Sequence, residues 1–255
     1  MNETLETIHS LRTIHGNFTS QEVKDEDLKT ILDACVRAGN ASARQSYSII
    51  VVKDRALMGK LSGFVGSKTL IFCVDYNRII DTAKHLNHSF SGDGVVPFVT
   101  GGIDTILAAQ TAAIAAKSLG IDSLFTNGIH RGDMTRVYKL LELPEKYCFP
   151  LIALVLGYPD QEPALQKGRL SGSGVIHYDK YHKLTAEELD ELVRQYDDPD
   201  KHMYLNDNWK KEGFNHYLDW FYKVWSARGG KPEGKTQMAK ILENIGFMES
   251  SIHNK

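Results

Sequence analysis

Residues 101–121 read GGIDTILAAQTAAIAAKSLGI. Ile106, Ala109, Ala113 and Ala116 recur at helical spacing on neighbouring faces. Side chains this small let another backbone come close, so the helix belongs in the core or in a subunit interface. Apolar runs of a different kind lie to either side. SYSIIVVKD (46–54), TLIFCVDYNR (69–78) and FPLIALVLGYP (149–159) are nearly continuous apolar stretches, the mark of strands covered on both faces. SLFTNGIHRGD (123–133) gives a short strand and a tight turn at Asn127-Gly128. DEDLKTILDACVRAG (25–39) carries the stripe Leu28, Ile31, Leu32, Cys35 and Val36 behind an acidic first turn, with Gly39 as its expected stop. TRVYKLLELPEK (135–146) is a helix ended before Pro144, and Thr185-x-x-Glu188 is a capping box opening another. HLNHSFSGDGVV (85–96) reads as a polar, glycine-rich loop. Helices alternating with buried strands leave the class as α/β or α+β.

The 255 residues, 42% hydrophobic and 24% charged, fit one large domain or a core with an extension. A net charge of −2 gives no global field toward nucleic acid or an acidic membrane surface. No apolar run approaches the ~20 residues of a membrane span, and the N-terminus lacks a signal-peptide core. Cys35, Cys73 and Cys148 lack C-x-x-C spacing and read as reduced, buried thiols of a cytoplasmic protein. The tail from His202 holds Trp209, Phe214, Tyr217, Trp220, Phe221, Tyr222 and Trp225, too many aromatics for a disordered segment. We expect a main domain over 1–190 and a helical, aromatic-rich extension over 191–255.

Four short polar stations could carry chemistry: Arg12-Thr13-Ile14-His15, the loop NASARQS (40–46), TNGIH (126–130), and Lys167-Gly168-Arg169. Taken singly, each reads first as solvated surface or turn capping. His85 and His88 have no third partner for a metal. A G-x-S-x-G elbow, a P-loop and a G-x-G-x-x-G dinucleotide fingerprint are absent.

The ordered set LRTIHGNF, NASARQSYSIIVVKD, FCVDYNR, GGIDTILAAQTAAIAAKSLGI, TNGIH and LLELPEKYCFPLIALVLGYPDQEPALQKGRL resembles the FMN-dependent nitroreductase family. It is most similar to the branch of NADPH-dependent flavin and nitro reductases, over roughly residues 1–185, and implies that family's α+β fold in three layers, α/β/α, with a mixed central sheet flanked by helices. The resemblance implies that Arg12, Lys167 and Arg169 hold the FMN phosphate, with Thr13 near the ribityl chain. His15 stands where the family usually has Arg or Lys near flavin N1 and O2, which makes the charge there pH-dependent. Ser42, Ala43, Arg44, Gln45 and Ser46 are implied to line the flavin, and Asn127, Gly128 and Ile129 to offer backbone groups near the ring. The implied activity is ping-pong hydride transfer from NAD(P)H through FMN to a small-molecule acceptor: a nitroaromatic, a quinone or free flavin. The implied assembly is a homodimer with FMN between subunits; the net charge and the lack of a long apolar run lead us to expect no nucleic-acid or membrane partners. The altered loop and His15 also admit a flavin-binding protein without turnover.

Overall fold

The computed structural model describes residues 1–172, 174–229 and 237–248. The chain forms two compact units, 1–162 with 234–255, and 163–233. This division differs from the expected boundary at residue 190, which falls inside a capped helix. The last part of the chain returns to the first unit.

The first unit is built on a four-stranded sheet in the order β1-β2-β4-β3, where β1 is Tyr47–Val52, β2 Lys68–Asp75, β3 Asp122–Thr126 and β4 Cys148–Gly157. All three pairings are antiparallel. The parallel component of the expected mixed sheet is reduced to a single bridge, Thr13 to Ser123. The inner strands β2 and β4 carry the most continuous apolar runs and are almost wholly buried. β1, at an edge, is only half-buried along its centre, so its apolar run overstated its burial.

Helices α1 (Glu3–His9), α2 (Asp25–Cys35), α3 (Arg55–Ser62), α4 (Asn77–His85), α5 (Val95–Ser118) and α6 (Thr135–Leu141) surround the sheet. Leu28, Ile31 and Cys35 of α2 meet Ala108, Ala109, Ala112, Ala113 and Ala116 of α5, together with Leu70, Phe72, Leu154 and Leu156 from the sheet. The small residues of α5 thus serve the close approach their size suggested. Gly101 extends this, since a Cβ there would sit 2.7 Å from Val74 and 3.1 Å from the Ser46 carbonyl oxygen. On the opposite face Met58 and Leu61 of α3 and Val137 of α6 pack on Ile71, Cys73 and Ala153.

Three local expectations are corrected. α5 begins at Val95, six residues before Gly101, because the segment after Gly94 is apolar enough to continue the helix. With 24 residues, α5 is long and apolar enough to cross a membrane by length and composition, contrary to the sequence expectation. One side of it is nonetheless packed in the core. α2 ends at Cys35 on a right-handed Val36, so Gly39 is not its left-handed stop. Helices α3 and α4 were not expected; α4 begins at Asn77, inside the run TLIFCVDYNR, and ends at His85, where the anticipated polar loop starts.

The second unit contains α7 (Ala186–Asp197), opened by the Thr185/Glu188 capping box, and α8 (Tyr217–Trp220), which runs into a π turn over Phe221–Trp225 and a 3-10 turn over Ser226–Gly229. Tyr204, Trp209, Tyr217 and Trp220 form an aromatic core of its own. Asp197 fastens α7 to the start of α8, taking the Tyr217 N–H at 2.8 Å and contacting His216 Nδ1 at 2.7 Å. In the first unit, α9 (Gln237–Asn244) places Ile241, Leu242 and the following Phe247 against Val74, Tyr76, Ile80 and Phe149. Ser173, and residues 230–236 and 249–255 of the expected extension, lie outside the described residues.

Candidate functional site

Arg12 follows α1 and lies at the start of β3. Its Nε and Nη2 donate to the two oxygens of Asp122 at 3.1 and 2.6 Å, and Nη1 donates to Glu162 at 2.6 Å. Lys117 Nζ adds a 2.8 Å bond to Asp122. Burial pushes the Asp122 carboxyl up, but hydrogen bonds from Arg12 and Lys117 outweigh it and hold the group below the usual carboxylate range. The Asp122 and Glu162 hydrogen bonds raise Arg12 above its ordinary value, so it is a permanent cation. Three of its five N–H groups are engaged in these bonds, leaving two for an anion. Thr13 lies beside Ser123, and Thr13 and His15 are exposed.

The loop before β1 is conformationally unusual. Ser42, Ala43 and Gln45 have φ of 54°, 54° and 50°, the left-handed region. Such residues cost on the order of 1 kcal/mol or more each unless surroundings fix them. Ser42 and Ala43 are exposed at the crest, and Arg44 is half-buried with its Nε 3.4 Å from the Ala41 carbonyl. The Gln45 amide is turned back to the Val36 carbonyl and the Tyr47 hydroxyl, both at 3.3 Å. Ser46 is fully buried, and its Oγ has no hydrogen-bond partner among the described residues. An orphaned hydroxyl costs stability unless something satisfies it.

The turn after β3 is mostly internal. Gly128 donates its N–H to Thr126 Oγ1 at 2.9 Å, and Ile129 is wholly buried beside Met58 and Leu61. A Cβ on Gly128 would sit 2.4 Å from the Ser62 carbonyl oxygen, so close packing on the end of α3 requires glycine. Asn127 is exposed. In the second unit Lys167 Nζ donates to the Tyr204 carbonyl, and Arg169 Nη1 folds back to the carbonyls of Lys167 at 3.0 Å and Gly168 at 2.8 Å. Gly168 is needed for contact with Lys201, where a Cβ would lie 2.4 Å from the carbonyl oxygen.

The strand order decides which stations can meet within one chain. Arg12 and Thr13 sit beyond β3, at the level where Asp122 pairs with Gly157. The 40–46 loop precedes β1, at the level where Tyr47 pairs with Val74, the other end of the other edge. Four strand spacings of ~4.8 Å across and seven residues of ~3.3 Å along put these corners about 30 Å apart. One chain therefore does not bring Arg12 and Ser42 to a common ligand.

No family model matches the chain. The NADPH-flavin oxidoreductase of Vibrio harveyi is 31% identical over 207 residues, covering 77% of this chain and 83% of that protein. The FMN reductase [NAD(P)H] of Bacillus subtilis (strain 168) is 32% identical over 209 residues, covering 78% and 81%.

The chain belongs to the FMN-dependent nitroreductase family.

Its fold agrees: nitroreductase A from Vibrio parahaemolyticus RIMD 2210633 superposes with a TM-score of 0.79 at 27% identity, over 98% of this chain and 100% of that one. Within a nitroreductase the donor set fits a flavin mononucleotide. Among the described residues Arg169 and Lys167 engage only backbone carbonyls, so both charges remain available to a phosphate. The loop offers the exposed crest of Ser42 and Ala43 and the unsatisfied Ser46 hydroxyl.

Sequence reasoning missed Asp122 and Glu162, which compete for Arg12, and Asp104 and Arg78, which hold the loop. Asp104 was visible as a lone carboxylate inside an otherwise apolar helix, a pattern that signals a buried partner.

Proposed function

We propose that the protein is an FMN-dependent oxidoreductase that takes hydride from NAD(P)H and delivers reducing equivalents to a nitroaromatic, quinone or free flavin. It acts as a cytoplasmic homodimer with each flavin site shared by two copies. The observation that carries the shared site is the placement of Arg12 and the 40–46 loop at opposite corners of one sheet, too far apart to hold one cofactor. A second observation supports it. Val96, Val99, Ile103, Ile106 and Leu107 form an apolar stripe on α5, each exposed by 44% or more. The 40–46 loop is tied to that helix through Asp104. A second copy seated on the stripe comes up against the loop.

In this reading Lys167, Arg169 and the two spare N–H groups of Arg12 hold the phosphate. Thr13 lies along the ribityl chain, and His15 faces the N1 and O2 edge. Ser42, Ala43, Arg44, Gln45 and Ser46 face the ring, with backbone groups at Asn127, Gly128 and Ile129. Bound FMN supplies two-electron redox chemistry that none of these side chains offers. The protein's part is to bind, orient and exclude water. The nicotinamide and the acceptor use one open face in turn, which gives ping-pong kinetics. Reconstitution with FMN, anaerobic reduction by NADPH and NADH, and initial rates against an acceptor panel test the reading. A yellow dimer bleached by either nucleotide, with parallel double-reciprocal lines, is expected. A colourless protein after FMN addition refutes the proposal, and a yellow protein that neither nucleotide bleaches reduces it to flavin binding.

A further inference from the structure

Three left-handed non-glycine residues within four positions do not hold their shape unaided, and the loop's supports come from outside it. Asp104, near the middle of α5, is only 1% exposed. Its Oδ1 accepts the Ala41 N–H at 2.8 Å and its Oδ2 accepts the Ser46 N–H at 3.1 Å, so one carboxylate bridges both ends of the loop. From the other side Arg78 of α4 donates Nη2 to the carbonyls of Arg44 at 3.2 Å and Gln45 at 2.5 Å. Asn40 Oδ1 takes the Gln45 N–H at 3.2 Å. The pattern is that of a splint: an anion on the loop's N–H groups and a cation on its carbonyls, drawn from two helices distant in sequence.

Chemistry requires the carboxylate. Both Asp104 oxygens accept, and an asparagine there would turn its NH2 toward one of the two backbone N–H groups. No ion pair with Asp104 occurs among the described residues, and a buried charge held only by two amides is an expensive way to build a helix. It is intelligible if the charge-assisted bonds keep the loop in one conformation.

We propose that Asp104, with Arg78, is a positioning residue for the flavin: it fixes the left-handed 40–46 loop in its cofactor-receiving shape without touching the cofactor. This rests on the reading of that loop as a flavin contact.

The test compares wild type, Asp104→Asn, Arg78→Ala and the control Thr105→Ala, a neighbouring buried position whose hydroxyl bonds only within α5, to the Gly101 carbonyl. FMN affinity is measured by fluorescence quenching. Hydrogen exchange of the peptide 40–47 is measured on the apo form, well below each variant's melting temperature. For Asp104→Asn, FMN affinity falls about tenfold or more and exchange across 40–47 quickens, as one of the two bonds is lost and the other is no longer charge-assisted. Arg78→Ala gives the same pair of changes, about threefold in affinity, and reports on the splint even if the Asp104 variant does not fold. Thr105→Ala moves neither. FMN affinity within twofold of wild type in both loop variants overturns the inference while leaving the flavin reading intact. So does weakened FMN binding without any change in exchange of 40–47. Wild type that does not bind FMN sinks the flavin reading itself, and the positioning role with it.

Discussion

Replacing Ile103 by Glu separates the fold of one copy from the assembly of two. Ile103 is 57% exposed on the apolar stripe of α5. In a lone chain the substitution puts a good helix former at a half-exposed position, and the expected change in stability is within about 0.5 kcal/mol. In a dimer closed over that stripe the account differs. Full burial of an Ile side chain contributes about 1.5–3 kcal/mol, so its exposed half accounts for about 1 kcal/mol per copy. Burying the new carboxylate adds several kcal/mol per copy. A two-fold interface counts each term twice, giving roughly 6–10 kcal/mol in all, or a dimer weakened by about four to seven orders of magnitude. Light scattering after size exclusion, thermal unfolding and FMN titration read the outcome together. The expected result is a folded monomer that no longer retains FMN. A variant that stays dimeric, or a monomer that binds FMN stoichiometrically, refutes the reasoning.

Other residues give further expectations. Gly128→Ala forces a Cβ to within 2.4 Å of the Ser62 carbonyl oxygen, and overpacking of this kind costs about 2 kcal/mol, lowering the melting temperature by about 4–8 °C; a shift under about 1 °C would show that α3 yields freely. Glu162→Gln removes one of the two carboxylates holding Arg12, so FMN binds up to about fivefold more tightly, the scale of an exposed ion pair; weaker binding contradicts a phosphate role for Arg12. Asp122 titrates below the usual range, so its contribution to stability is fully present above the unfolded value of about 3.9 and is lost as pH falls through the lower folded value. Urea midpoints of wild type and Asp122→Asn therefore converge between about pH 5 and pH 2, and a constant gap across that range refutes the assignment. His216 is raised above its ordinary value by its hydrogen bond to Asp197; its support of the aromatic unit is present below about pH 6.5 and fades as pH rises through the folded value. Tryptophan fluorescence of wild type should change over that interval, and the change should vanish in His216→Gln.

The sheet was legible because its inner strands are buried on both faces, and a run such as FPLIALVLG has no other economical reading. Helix α3 was overlooked although its signals were present: Asp54 caps it with bonds to the Ala56 and Leu57 N–H groups, and Gly63 ends it at φ 79°. Those cues were outweighed by the lack of a long apolar period. Helix α4 is amphipathic but only nine residues long and buries only Ile80, too short a stretch for its apolar face to stand out as a period. At the site, the cations and the altered loop could be singled out from residue type and resemblance. Their positions could not, because antiparallel strand order alone sends Thr13 and Ser46 to opposite corners. The roles of Asp104 and Arg78 were hidden for the same reason, each acting on backbone groups more than thirty residues away.

The shared site is tested most directly by subunit complementation. Arg12→Gln alters the station at one corner of the sheet and Arg44→Glu the station at the other. Each variant dimer alone holds two damaged sites. Unfolded together and refolded in equal amounts, they form mixed dimers in which one site combines both damaged stations and the other combines both intact ones. Random pairing predicts recovery of about a quarter of the wild-type capacity for tight FMN binding and for NADPH-dependent reduction. No recovery from a mixture shown by mass to contain the mixed dimer would contradict a site built from two copies.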